Sequence, residues 1–95
     1  MTEQADRWSI YIIQASDSSL YTGITTDVER RFEEHAQGRK GARYFNGRRP
    51  LEVVYREDGH SRSSASRREA QIKKLSRREK EILIAARRHI GDGDA

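Results

Sequence analysis

Residues 20–35 read LYTGITTDVERRFEEH, and this stretch changes from a strand pattern to a helix pattern at its middle. Residues 20–25 are rich in β-branched and aromatic side chains, which favour an extended strand. Thr26 followed by Glu29 has the spacing of a capping box, so a helix is predicted over residues 27–36. The stretch therefore predicts a strand that passes directly into a helix.

The segments on either side predict the other elements. Residues 8–15 are apolar and β-branched and precede a turn cluster, so they predict a strand that forms a hairpin with residues 20–25. After a glycine-rich basic loop, the pattern predicts one strand and two helices, at residues 51–56, 64–75 and 76–89. The order ββαβαα indicates an α+β fold, with a small three-stranded, mostly antiparallel sheet and helices packed on one face.

Composition limits both the size of the fold and its chemistry. With 95 residues, 34% hydrophobic and 36% charged, the chain has material for one domain with a small core. We expect that domain at residues 7–90, with disordered tails at 1–6 and 91–95. The absence of cysteine excludes a disulfide framework, a thiolate zinc site and a cysteine nucleophile. Without a signal peptide or an apolar run near the roughly 20 residues that span a bilayer, a cytoplasmic protein with no membrane partner is expected.

Positive charge is concentrated in the C-terminal third of the chain. Residues 59–90 carry ten Lys and Arg against three acids, while the whole chain has a net charge of +4. Such a region is typical of proteins that bind a phosphate backbone, and a solvated helical face explains the same charge. Charge alone leaves both interpretations open.

Two basic side chains border the apolar face of the first predicted helix. At about 100° per residue, Val28, Phe32 and Ala36 share the core stripe, and Arg31 and His35 lie beside it. A basic side chain there either reaches solvent, is hydrogen-bonded within the core, or binds a ligand.

Glu69 lies beside the stripe formed by Ala65 and Ile72 in the next predicted helix. A carboxylate in that position needs a partner. A salt bridge to Arg68 or Arg31 provides one, and a bound Mg²⁺, which accepts one or two carboxylates, provides another.

Two tyrosines and a glycine lie on the predicted hairpin. Tyr11 and Tyr21 are most simply hairpin-packing residues. A tyrosine acts as a base at neutral pH only near positive charge, which Arg31 and His35 are placed to supply if they project onto the same face. Gly23 in mid-strand indicates that backbone or ligand approaches closely there.

Taken in chain order, these residues resemble the GIY-YIG nuclease superfamily, which includes homing endonucleases and the incision subunit of bacterial nucleotide excision repair. The resemblance covers about residues 7–85 and is closest to the small stand-alone bacterial branch. The first tripeptide is Ser-Ile-Tyr rather than Gly-Ile-Tyr. The residues that carry the resemblance are Tyr11, the triplet Tyr21-Thr22-Gly23, Arg31, His35 and Glu69.

The resemblance implies a metal-dependent endonuclease that hydrolyses phosphodiester bonds in DNA or structured nucleic acid. By position, Glu69 would hold one Mg²⁺ or Mn²⁺, and Arg31 would stabilise the negative charge of the transition state. Tyr21 and Tyr11, helped by His35, would position or deprotonate the attacking water. Larger members carry a separate DNA-targeting domain, so a partner protein is a candidate for targeting here.

A further set of residues is expected to hold nucleic acid. Four of them are inferred from charge rather than from a motif, and Gly23 from the close approach that it permits. The set is Gly23, Lys40, Arg43, Lys73 and Lys74. Two alternatives to a nuclease remain: a non-catalytic nucleic-acid-binding module with the same fold, and a protein-interaction domain with an acidic partner.

Overall fold

The computed structural model of the chain describes residues 7–38, 45 and 47–94, and only the backbone of residues 88–94. The strands and helices confirm the predicted order ββαβαα and the α+β class. They are β1 (Trp8–Ala15), β2 (Leu20–Thr25), α1 (Val28–Gln37), β3 (Pro50–His60), α2 (Arg62–Lys73) and α3 (Arg77–Asp94).

The sheet has the order β2-β1-β3, and both neighbours of β1 run antiparallel to it. Tyr11 of β1 lies opposite Gly23 of β2, and Ile13 lies opposite Tyr21. Because alternate residues of a strand point to opposite faces, both tyrosines lie on one face of the sheet. The register therefore brings the two phenols together.

The helices cover both faces of the sheet, so the expectation that they pack on one face is wrong. Val28 of α1 packs with Tyr11 and Ile13 on one side. Ala65 and Ile72 of α2 pack with the alternate β1 residues on the other side, together with apolar residues of α3. The physical reason lies in β1, whose side chains are apolar on both faces and need a cover on each.

Element boundaries differ from the predictions where polar residues were taken for turns or caps. The N-cap of α1 is Asp27 rather than Thr26, and its side chain accepts a hydrogen bond from the Arg30 N–H at 3.0 Å. Strand β3 continues through Gly59 to His60 instead of ending near residue 56. The paired strand β1 extends it, because backbone pairing outweighs local turn propensity.

Helix α2 starts directly after β3, at a capping box between Ser61 and Ser64. The predicted capping box of α3 is confirmed, since Ser76 and Glu79 exchange hydrogen bonds of 2.8 and 3.1 Å. α3 continues past the predicted end near residue 89 to Asp94. Within the described part of the chain, no helix combines the length and apolarity that crossing a membrane demands.

Candidate active site

Tyr11 and His35 form a buried pair between β1 and α1. The Tyr11 Oη lies 3.1 Å from the His35 Nε2, and the two residues are 1% and 2% exposed. Neither side chain reaches solvent, so neither can touch a substrate directly in this arrangement. The pair instead links β1 of the sheet to α1 through a buried hydrogen bond.

Gly23 is explained by its distance to Tyr11. A Cβ atom at position 23 would lie 2.6 Å from the Tyr11 Oη, 2.7 Å from its Cζ and 3.1 Å from the Tyr21 Cε2. The Tyr11 ring therefore lies across the strand in the space that a side chain would need. The close approach inferred from the sequence is made by Tyr11, and contact of Gly23 with nucleic acid stays a prediction.

Helix α1 buries a different stripe from the predicted one. Val28 and His35 are buried and Phe32 is half-buried, whereas Ala36 is exposed. The helix is rotated toward the hydrogen bond that His35 makes with Tyr11, so the imidazole takes the place that alanine was expected to fill. The apolar moment of a short helix locates its buried face only approximately, and one buried polar contact decides the rest.

Burial keeps the imidazole of His35 neutral. Desolvation, followed by the charge of Arg31, lowers the pKa of His35 to about 4, although Glu34 opposes the shift. The expectation that His35 supplies positive charge to a tyrosine is therefore wrong. Desolvation and the neighbouring Tyr21 raise the pKa of Tyr11, and Arg31 only partly offsets this, so Tyr11 keeps its proton at neutral pH.

Arg31 is the cation of the site. Its Nη1 donates to the Glu34 Oε1 at 2.9 Å, and the guanidinium also hydrogen-bonds to Tyr11. Burial lowers the pKa of Arg31, but the hydrogen bonds to Glu34 and Tyr11 raise it by more. Glu34 was not predicted as a site residue, although its i,i+3 spacing from Arg31 is a signal for this pair.

The hydrogen bonds of Tyr11 link α1 to the sheet. A guanidinium can only donate, so the Tyr11 oxygen accepts from Arg31. The direction of the hydrogen bond between Tyr11 and the His35 Nε2 depends on the tautomer of His35. The His35 Nδ1 has no hydrogen-bond partner among residues 7–38, 45 and 47–94.

Tyr21 is the accessible tyrosine. It is half-buried, and its ring centroid lies 6.2 Å from that of Tyr11, 5.3 Å from that of His35 and 5.2 Å from that of Phe45. Phe45, in the loop before β3, also stacks against His35 at 4.7 Å. No periodicity marks a single aromatic residue in a loop, which is why the sequence analysis did not identify it.

Glu69 comes to the site from α2. Its side chain is 23% exposed, and its Oε2 lies 3.2 Å from the Lys73 Nζ, so neither Arg68 nor Arg31 is the ion-pair partner described for it. Its charge is close enough to contribute to the raised pKa of Tyr11. Glu69 is therefore partly exposed, and its charge acts on Tyr11 from the other face of the sheet.

Glu69 could bind a divalent cation such as Mg²⁺ that takes few protein ligands. No group of three His, Cys, Asp or Glu side chains in the described ranges is arranged to hold a metal ion. Mg²⁺, by contrast, commonly uses one or two carboxylates and completes its shell with waters and substrate phosphates. The Glu69 carboxylate is partly exposed and its ion-pair partner is the exposed Lys73, so it is compatible with this mode of Mg²⁺ binding.

The predicted nucleic-acid contacts fall into two groups. Lys73 and Lys74 are exposed at the end of α2, on the same helix as Glu69. Lys40 and Arg43 lie outside the described residues. The structure thus places two of the four predicted cations at the end of the helix that carries Glu69, and Lys73 forms an ion pair with Glu69.

Comparison with known proteins gives one family model and several similar proteins. The model of the GIY-YIG catalytic domain matches residues 7–82. A UPF0213 protein of Desulfotalea psychrophila is 52% identical over 79 residues, which cover 83% of this chain and 72% of that protein. The UPF0213 protein YhbQ of Escherichia coli is 46% identical over 78 residues, covering 82% and 77% respectively. The solution NMR structure of a UPF0213 protein from Bacillus halodurans, 46% identical over 83% of each chain, matches with a TM-score of 0.54.

Proposed function

The chain belongs to the GIY-YIG catalytic domain family, and from this premise we propose that it is a metal-dependent endonuclease that hydrolyses phosphodiester bonds in DNA or structured nucleic acid. The observation that supports the proposal best is the grouping of four side chains from three elements, to which a fourth element adds a carboxylate. Three of these elements, β1, β2 and α1, form one aromatic and cationic cluster, and α2 adds a carboxylate whose charge acts on that cluster. The side chains are Tyr11, Tyr21, Arg31, His35 and Glu69.

The five side chains divide by accessibility into two groups. Tyr21, Arg31 and Glu69 are half-buried and would meet the scissile phosphate. Tyr11 and His35 are sealed beneath them, so they act as positioning residues. This division refines the expectation that both tyrosines handle the attacking water, because only Tyr21 has access to it.

Arg31 is suited to the charge that develops on phosphate. Its guanidinium is already held by Glu34 and Tyr11, so little side-chain freedom is lost when it donates to a phosphoryl oxygen. In the transition state, additional negative charge accumulates on the non-bridging oxygens. A donor fixed beside those oxygens stabilises the transition state more than the ground state.

In this proposal Tyr21 orients the attacking water through its hydroxyl. Glu69 would hold the divalent ion, Mg²⁺ or Mn²⁺, after Lys73 moves aside. When bound, such an ion neutralises phosphate charge and lowers the pKa of water, so a strongly basic protein group is not required. Neutral Tyr11 and neutral His35 agree with this division of roles, because they offer hydrogen bonds rather than charge.

The decisive experiment is metal-dependent nicking of supercoiled plasmid by wild type and by Glu69→Gln. We expect the variant to lose at least about 10²–10³-fold in rate, the range for removal of one electrostatic stabiliser, with little change in stability. Glu81→Gln is the matched control, because Glu81 also forms an i,i+4 ion pair, with Arg77 at 2.8 Å, but on α3. Equal cleavage by the wild type and Glu69→Gln would overturn the assignment.

A non-catalytic nucleic-acid-binding module is the second candidate. The net positive charge of residues 59–90 favours it, since that charge binds phosphate whether or not cleavage follows. Salt-dependent DNA binding without any product at high Mg²⁺ and Mn²⁺ would identify this function instead.

A further inference from the structure

Helix α2 has few apolar contacts that could define its rotation about its own axis. Ala65 and Ile72 are its only buried residues, and they lie two turns apart on one line along the helix. One methyl group and one isoleucine side chain anchor the helix, but they constrain its rotation weakly. An additional interaction beside this line can therefore set the direction in which the remaining α2 side chains point.

Glu57 of β3 makes that interaction. Its carboxylate is 16% exposed and accepts from the Arg68 Nε at 3.0 Å, with the His60 Nε2 at 3.0 Å and the Tyr55 hydroxyl as further partners. Although burial raises the pKa of Glu57, these three hydrogen bonds hold it below its ordinary value. Arg68 is fixed further by the Gln71 Oε1 at 3.2 Å. The cluster is thus a fully engaged ionic contact between β3 and α2.

A second link fixes the start of the helix. The His60 Nδ1 lies 2.8 Å from the Ser64 Oγ, and Ser64 is part of the capping box with Ser61. Ser64 and Arg68 are one turn apart on the same side of α2, so both links attach that side to the end of β3.

Arg68 and Glu69 lie on opposite sides of the buried line. With Ala65 at 0° and about 100° per residue, Arg68 lies near −60° and Glu69 near +40°. Holding Arg68 against the edge strand β3 therefore turns Glu69 toward the opposite edge strand, β2, which carries Tyr21 on its other face. A side-chain end about 6 Å from the helix axis moves about 1 Å for each 10° of rotation.

We propose that Glu57 is a positioning residue that acts through Arg68 to set the rotation of α2 and so to present the Glu69 carboxylate to the site. This inference rests on the proposed function of Glu69. A displacement of about 1 Å at a reacting group lowers rates by up to about 10²-fold. Loss of the Glu57–Arg68 contact is therefore expected to lower kcat without removing any group that touches the substrate.

The test compares Glu57→Gln, Arg68→Met and the double variant with wild type. Plasmid nicking gives kcat and KM, and N–H residual dipolar couplings along α2, measured without metal or DNA, report the rotation of the helix. We expect each single variant to lose about 10–100-fold in kcat with KM within about threefold. The residual dipolar couplings should report a rotation of α2 about its axis by at least about 10°. The double variant should lose no more in kcat than either single variant.

The outcomes separate this proposal from the proposed function. An unchanged dipolar pattern in the variants overturns the positioning role, and so does a shifted pattern with unchanged kcat. If wild type does not cleave, the proposed function fails, while the dipolar couplings still decide whether Glu57 sets the rotation of α2. Arg68→Lys, which keeps the charge but loses the guanidinium fork, serves if the other variants do not fold, and it should show a smaller shift with a correspondingly smaller kcat loss. Glu81→Gln is again the control and should change neither readout.

Discussion

Gly23→Ala places a methyl group where the Tyr11 ring now lies. The new Cβ would be 2.6 Å from the Tyr11 Oη and 2.7 Å from its Cζ, which is far inside van der Waals contact. Tyr11 has little room to move, because it is 1% exposed and its hydroxyl is bonded to His35. We expect the ring to be displaced and the hydrogen bond to be lost.

The change in the free energy of unfolding caused by Gly23→Ala has three contributions. Overpacking a filled site costs about 1–3 kcal/mol, and loss of one buried hydrogen bond costs about 1 kcal/mol more. Replacing glycine in a strand recovers about 0.5–1 kcal/mol of backbone entropy. The net loss in the free energy of unfolding is about 2 kcal/mol, which lowers Tm by about 8–16 °C for a domain of this size.

The assay combines thermal and urea unfolding with the ¹⁵N signal of the His35 Nε2, which reports the hydrogen bond between His35 and Tyr11. Gly47→Ala is the control: its φ of +96° makes alanine unfavourable, but nothing lies within 4 Å of the new Cβ. The control should lose about 1–2 kcal/mol with the His35 signal unmoved. Tyr11→Phe removes the nearest atom and should make Gly23→Ala less harmful. A Gly23→Ala protein that melts within about 2 °C of wild type, with an unchanged His35 signal, would refute the reasoning.

Two further predictions concern charge. Because burial and Arg31 lower the pKa of His35 to about 4, the unfolded chain binds this proton more tightly than the folded one. Neutral His35 therefore makes its full contribution to the free energy of unfolding above pH ~6.5, and up to about 3 kcal/mol of it is lost as the pH falls toward 4. Urea unfolding at a series of pH values should show this decrease, and His35→Gln should make it smaller. If Lys74 contacts one DNA phosphate, Lys74→Gln should reduce the slope of log K against log salt by about 0.9, measured by fluorescence anisotropy, and an unchanged slope would remove Lys74 from the interface.

Local order was readable from the sequence because it depends on chain neighbours. The alternation of residues 8–15 and 20–25 and the cap at Ser76 rest on backbone preference and short-range hydrogen bonds, and both strands and this cap are confirmed. The Thr26 cap was wrong because two adjacent residues can each cap a helix, and the side-chain geometry of Asp27 decides between them.

The ion-pair partners of the charged side chains could not be predicted from the sequence. Arg68 was considered as a partner for Glu69, yet it contacts Glu57 of another element, and Glu69 pairs with Lys73. Several partners within reach along a helix are nearly equivalent in energy. The neighbouring strand selects among them.

The sequence by itself determined the element order, the two strands that carry the tyrosines, and the helices that carry Arg31, His35 and Glu69. Only the tertiary structure decided that the helices cover opposite faces of the sheet, that Tyr11 seals the space above Gly23, and that His35 is neutral. The physical reason is range. Backbone propensity and side-chain periodicity act within a few residues along the chain, whereas desolvation and steric exclusion depend on atoms that come together only when the sheet and helices pack.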